Sequence, residues 1–134
     1  MANVKTQNSF SIWNGTKGKP PRLPFKRIKN NVLGEKYELS LAFVSQKESK
    51  SANKKYRGKD SPANVLSFSF SKTSGEMLIC PKEAAKDMRR FNMDYRSFMA
   101  LLFIHGLLHL KGTRNGSTME GAEKKLLNKF LPLD

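Results

Sequence analysis

The spacing of hydrophobic positions along the chain predicts strands mostly in the first two-thirds and helices behind them. Phe10 to Trp13 reads as a short first strand, followed by a Gly/Lys/Pro-rich connection from Asn14 to Pro21. Leu23, Phe25, Ile28, Val32 and Leu33 are spaced loosely as a helix, with Gly34 suited to end it. Tyr37, Leu39, Leu41 and Phe43 alternate with Glu38, Ser40 and Ala42, the mark of a half-buried strand. Ser45 to Tyr56 is polar and reads as a short exposed helix. Tyr56 to Pro62 is a loop by its glycine and proline, and it runs into an alternating strand from Val65 to Phe70. Lys72 to Gly75 is a turn, and Glu76 to Cys80 another strand. Pro81 suits the first position of a helix reaching about Phe91. A helix from Tyr95 to Leu110 closes at Gly112. Ser117-Thr-Met-Glu120 has the form of a capping box opening a last helix, which puts Met119, Ala122, Leu126, Leu127 and Phe130 on one face. The predicted class is α+β, with no repeat and no boundary inside residues 1–134, hence one domain.

Composition sharpens this picture in two ways. Hydrophobic residues are 38% of the 134 and include nine Phe, enough for a core without staples. Twenty-five Lys plus Arg against eleven Asp plus Glu leave a formal charge of +14. That excess favours polyanions by counterion release, so the expected partner is nucleic acid, most simply RNA. The single cysteine, Cys80, has no partner for an internal disulfide, which points to a reducing compartment. No N-terminal stretch resembles a signal peptide, and the longest apolar run, around residues 98–110, is broken by His105, Gly106 and His109. A cytoplasmic location without membrane contact is expected.

The candidate chemistry begins with that histidine pair. Four residues apart on a helix, His105 and His109 share one face and can reach one cation, zinc being well matched to imidazole. The plainer alternative is two histidines satisfied by local hydrogen bonds. A zinc peptidase of the HExxH type is excluded, because its general-base glutamate is here Gly106. A glycine inside a helix costs about 1 kcal/mol relative to alanine, so it is expected to serve the close approach of a substrate or a backbone.

Two separated segments carry a family resemblance. Asn53-Lys-Lys-Tyr-Arg-Gly-Lys-Asp-Ser-Pro-Ala-Asn-Val-Leu-Ser-Phe68 resembles the N-x-x-Y-R-G-K-D-x-P-T-D/N-V-L-S-F motif of the YbeY family of rRNA maturation endoribonucleases. His105-Gly-Leu-Leu-His-Leu-Lys-Gly112 resembles its H-G-x-L-H-L-x-G, and Gly75 to Cys80 its G-D-I/L-x-I-C strand. The likeness runs from about Leu39 to Phe130. It implies a mixed sheet flanked by helices in a zincin-like arrangement, with one metal, expected to be zinc. It also implies action on single-stranded rRNA, in 16S 3′-end maturation and ribosome quality control. Association with a small-subunit ribosomal protein and an Era-type GTPase is implied in the same way.

Carried over residue by residue, His105 and His109 are the first two metal ligands, and Asn115 stands at the third position, where the family has histidine. Arg114 stands where the family has an acidic residue. Both changes oppose a divalent ion. Three arrangements remain open. Asn115 ligates weakly with a phosphate or water completing the shell; Glu120 or Glu123 replaces it; or the site is an empty, noncatalytic rRNA-binding relic in an assembly factor. Arg57 matches the family's functional arginine and is expected to contact phosphate as charge develops on it, the alternative being an ion pair with Asp60. Lys54, Lys55 and Lys59 are expected to add nonspecific attraction for RNA, and Tyr56 to stack on a base. Asp60 and Asn64 are expected to order their loop. Cys80 is expected to be a small buried side chain. Met88, Phe91, Phe98 and Met99 are expected in the core. The expected mechanism is hydrolysis in which the metal lowers the pKa of a bound water.

Overall fold

The computed structural model describes residues 9–131. Four strands form one mixed sheet in the order β1-β2-β4-β3. Strands β1 (Phe10–Asn14), β2 (Glu38–Phe43) and β4 (Ser74–Ile79) run parallel, with Phe10 opposite Leu39 and Leu41 opposite Met77. Strand β3 (Val65–Ser71) pairs antiparallel to β4 through a short turn, with a bulge between Ser69 and Ser71. Strand β4 begins at Ser74, two residues before the position expected from its apolar run, because Ser74 and Gly75 pair with both neighbours.

The helices are α1 (Phe25–Leu33), α2 (Gln46–Arg57), α3 (Pro81–Met88), α4 (Tyr95–Lys111) and α5 (Ser117–Phe130). Helix α4 lies at the centre, packed on β3 and β4 and against α1, α3 and α5. Its core residues include Phe98, Met99, Phe103, Ile104 and Leu107, each 1% exposed or less. They meet Leu41, Phe43, Met77 and Ile79 from the sheet and Phe25 and Ile28 from α1. Burying even a few such side chains contributes several kcal/mol, at ~1.5–3 kcal/mol each. An apolar α4 running nearly all round its circumference follows from this central place.

Three local expectations need correction. The capping box at Ser117 does not form: Gly116 is the N-cap at φ 123°, with no side-chain cap, so Ser117 is already inside α5. The genuine capping box is at Ser45 and Glu48, where each side chain bonds the other residue's backbone N–H. Helix α3 stops at Met88, short of Phe91; a turn with Asn92 at φ 52° follows and leaves Phe91 56% exposed, outside the core. Phe98 and Met99 are buried as expected, and so is Cys80.

Candidate functional site

The site is built on α4, whose ends are well fixed. Asp94 caps its start by accepting from the Ser97 backbone N–H at 2.8 Å, and Gly112, at φ 103°, closes its end. Within it, Gly106 lies against β4: a Cβ there would stand 2.6 Å from Met77 Cε and 2.8 Å from Sδ. The glycine therefore serves approach to a buried methionine, where a substrate or a backbone was expected. Keeping α4 close to the sheet turns His105 and His109 toward an open cleft of about 680 Å³, which both line. That volume lies within the usual range of small-ligand sites, about 300–1,000 Å³.

Inside the cleft the two imidazoles meet. His109 Nε2 is 3.0 Å from His105 Nε2, with the rings nearly perpendicular at 83°. On its other side, His105 Nδ1 is 2.6 Å from Glu123 Oε2 on α5. A carboxylate there favours the proton on Nδ1 and so leaves Nε2 with a lone pair. Burial, then His105 and Arg57, hold the pKa of His109 below its ordinary value, against the opposing pull of Glu123 and Asn115. The His109 ring is thus biased toward its neutral form, and the two Nε2 atoms converge. Two imidazole nitrogens on one tetrahedral zinc at about 2.0–2.1 Å would stand ~3.3 Å apart, so the pair fits two corners of such a shell.

The third corner is different. Asn115, which the family resemblance put at this position, lines the cleft beside His109. Among the described residues, no three His, Cys, Asp or Glu side chains are grouped to hold one ion. Glu123 is engaged with His105 as an orienting partner, and Glu120 is exposed in the first turn of α5. The residues fit a divalent cation at two positions and leave the remaining corner to a neutral amide.

Arg57 is the last residue of α2, where Gly58 ends the helix at φ 71°. It also lines the cleft, and its charge acts on His109. Asp60 does not pair with it: that carboxylate faces Lys50 at 3.8 Å on the surface. Two buried polar residues of α2 hold the loop instead. Ser49 Oγ donates to the Ala63 carbonyl at 2.7 Å and accepts from its N–H at 2.9 Å, while Asn53 Nδ2 donates to the Ser61 carbonyl at 2.8 Å. The Asn64 side chain reaches beyond its own loop: Nδ2 donates across to Asp87 Oδ2 on α3 at 2.8 Å.

The cleft thus brings together Arg57, His105, His109 and Asn115, and excludes Lys55, Tyr56 and Lys59 from its lining. Tyr56 is 61% exposed and packs on Phe68, with Lys55 Nζ over its ring. Ser49, Asn53 and Asp87 went unassigned in the sequence, and Glu123 was read as a substitute ligand instead of a partner of His105, because their contacts lie elsewhere along the chain. Ser49 and Asn53 did leave a signal, four residues apart in a helix with few apolar residues.

A sheet with paired imidazoles and an arginine in one cleft, in a strongly cationic chain, defines a class: a small α+β protein equipped for phosphodiesters. Comparison with known proteins places it within that class. The family model described as endoribonuclease YbeY matches residues 24–131. A curated endoribonuclease YbeY of Nitrosomonas eutropha is 30% identical over 83% of this chain and 84% of its own. One from Chromohalobacter salexigens is 35% identical over 72% and 70%. The solution structure of TM1509 from Thermotoga maritima matches with a TM-score of 0.68 at 26% identity, covering 90% of this chain and 88% of that one. The chain belongs to the endoribonuclease YbeY family.

Proposed function

We propose that this chain cleaves single-stranded rRNA in its cleft, as an rRNA-processing endoribonuclease, with Arg57, His105, His109 and Asn115 at the scissile phosphodiester. The observation that carries this reading is the convergence of the two Nε2 atoms, 3.0 Å apart, in a cleft that Arg57 also lines. Arg57 is a fixed cation with a planar fork of donors, suited to the charge that grows on the phosphoryl oxygens. Glu123 holds the His105 ring and its tautomer through Nδ1. A zinc ion held by His105, His109 and, weakly, Asn115 would supply Lewis acidity and an activated water. A substrate phosphate or a water would complete that incomplete set. We infer a cytoplasmic site of action on the small ribosomal subunit; no helix among the described residues is long and apolar enough to cross a membrane. Lys55, Tyr56 and Lys59 lie outside the cleft lining and are suited to hold RNA beyond the reacting phosphate.

The amide at the third position favours a second reading, a noncatalytic rRNA-binding assembly factor. Cleavage of end-labelled single-stranded RNA, with zinc, nickel or manganese supplied in turn, separates the two. The nuclease reading expects cleavage that falls at least ~100-fold in Arg57→Ala and in His105→Ala, with RNA affinity changed far less in Arg57→Ala. Absence of cleavage with every metal, at undiminished RNA binding, would establish the assembly factor instead.

A further inference from the structure

The cleft holds a second set of groups that the cleavage chemistry does not use. Along α4, Phe98 lies seven residues before His105, about 10 Å of helical rise. There Phe91 stacks on Phe98, ring centroids 5.3 Å apart and planes at 30°. Phe98 is buried and Phe91 is 56% exposed, so one ring forms a fixed base and the other offers a face. In the same cleft, which Phe91 and Phe98 also line, are Asn64 and Asp87, joined by the Asn64 Nδ2 to Asp87 Oδ2 bond at 2.8 Å. Arg90 stands 3.8 Å from Oδ1 as a solvent-exposed partner.

A carboxylate is out of place in the RNA cleft of a cationic chain if phosphate is all that the cleft receives, because it repels that charge. It is well placed for a base edge that presents donors. The carboxylate accepts only, and the Asn64 bond fixes its plane while leaving acceptor capacity on both oxygens. We propose that Phe91, Asp87 and Asn64 form a nucleobase subsite selective for guanine. Of the four RNA bases, guanine alone offers two adjacent donors, N1–H and the exocyclic amine, on its Watson–Crick edge. Adenine and cytosine turn a ring-nitrogen lone pair toward the carboxylate beside their single amine. Uracil flanks its one N–H with carbonyls. The base stacks on Phe91, and its donor edge meets Asp87. Recognition of splayed-out bases by stacking and edge hydrogen bonds is the usual mode for single-stranded RNA.

This inference rests on the reading of the cleft as an RNA site, and its test is independent of cleavage. Fluorescence anisotropy would follow the binding of uncleavable 2′-O-methyl oligouridines carrying one guanine, one hypoxanthine or one adenine. The guanine strand is expected to bind about tenfold tighter than the adenine strand, with hypoxanthine between them because it keeps N1–H and lacks the amine. Asp87→Asn, which still accepts from Asn64, should lower guanine-strand affinity to the adenine level. Phe91→Ala should weaken all three strands by roughly tenfold, and Phe91→Trp should restore them. Equal wild-type affinity for the three strands, or a guanine preference that survives Asp87→Asn, overturns the subsite. Guanine preference without cleavage of ordinary RNA would remove the nuclease reading alone, and cleavage without base preference would remove this inference alone.

Discussion

Asn115 is one side chain away from a three-imidazole shell. His105 and His109 already bring their Nε2 atoms to 3.0 Å, and Glu123 already orients the first ring, so the missing element is a third nitrogen donor beside His109. Asn115→His is expected to raise zinc affinity at least ~10-fold, as measured by competition with a chelating dye. An unchanged affinity would mean that the turn between α4 and α5 holds position 115 away from the pair. That His105, His109, Arg57 and Asn115 would share one site was an expectation the motifs carried, and they do line one cleft. Glu123 was read in the sequence as a substitute ligand. Its contact with His105 crosses eighteen positions between two helices, and no periodicity encodes such a crossing.

At the scale of elements, every predicted helix and strand is present, and their types are as the periodicities indicate. The errors lie at ends, where one hydrogen bond decides. Ser117 carries the capping pattern, yet the positive φ of Gly116 lets the helix start one residue sooner. Phe91 keeps helical spacing, yet α3 ends before it. The contact between α4 and β4 gives a sharper test. Gly106→Ala gains about 1 kcal/mol of helix propensity but forces Met77, fully buried, to move. Overpacking of this kind costs ~1–3 kcal/mol, so net destabilisation is expected. In a Met77→Val background the same substitution should become neutral or stabilising, and urea unfolding of the four proteins in the cycle measures that coupling. Equal effects in both backgrounds would show that the methionine is not the obstacle.

The start of α4 carries a pH signature. The Ser97 backbone N–H, then the Ser97 hydroxyl, bond to the Asp94 carboxylate and hold its pKa below the ordinary 3.8. A carboxylate with a lower pKa in the folded state stabilises above 3.8, and loses that contribution as pH falls through the folded value. Asp94→Asn keeps the capping acceptor and removes the charge. Its Tm is expected to lie a few degrees below wild type at neutral pH, and the gap should close as the wild-type carboxylate protonates. A gap independent of pH would assign the effect to cap geometry alone.

The whole molecule acts through its charge. A net +14 was legible from composition, but its distribution was not: the cleft that gathers Arg57 and the histidines also gathers Glu83, Asp87, Glu120 and Glu123. Under the proposed function, attraction for the RNA backbone comes largely from lysines outside the cleft, with Arg57 placed at the one phosphate that reacts. The two contributions respond differently to salt. For single strands, log K falls against log salt with a slope of about −0.7 per phosphate neutralised. With about four phosphates engaged, raising salt from 50 to 200 mM should weaken binding of an uncleavable RNA roughly fifty-fold. Arg57→Ala should reduce the slope by no more than ~0.7, despite its large loss of cleavage. Lys55→Ala and Lys59→Ala should each remove a comparable increment of slope with little effect on cleavage at saturating RNA. Anisotropy titrations across that salt range measure the slopes directly. A slope near zero would mean that RNA affinity comes from base contacts in the cleft, and that the lysines outside it face some other anionic partner.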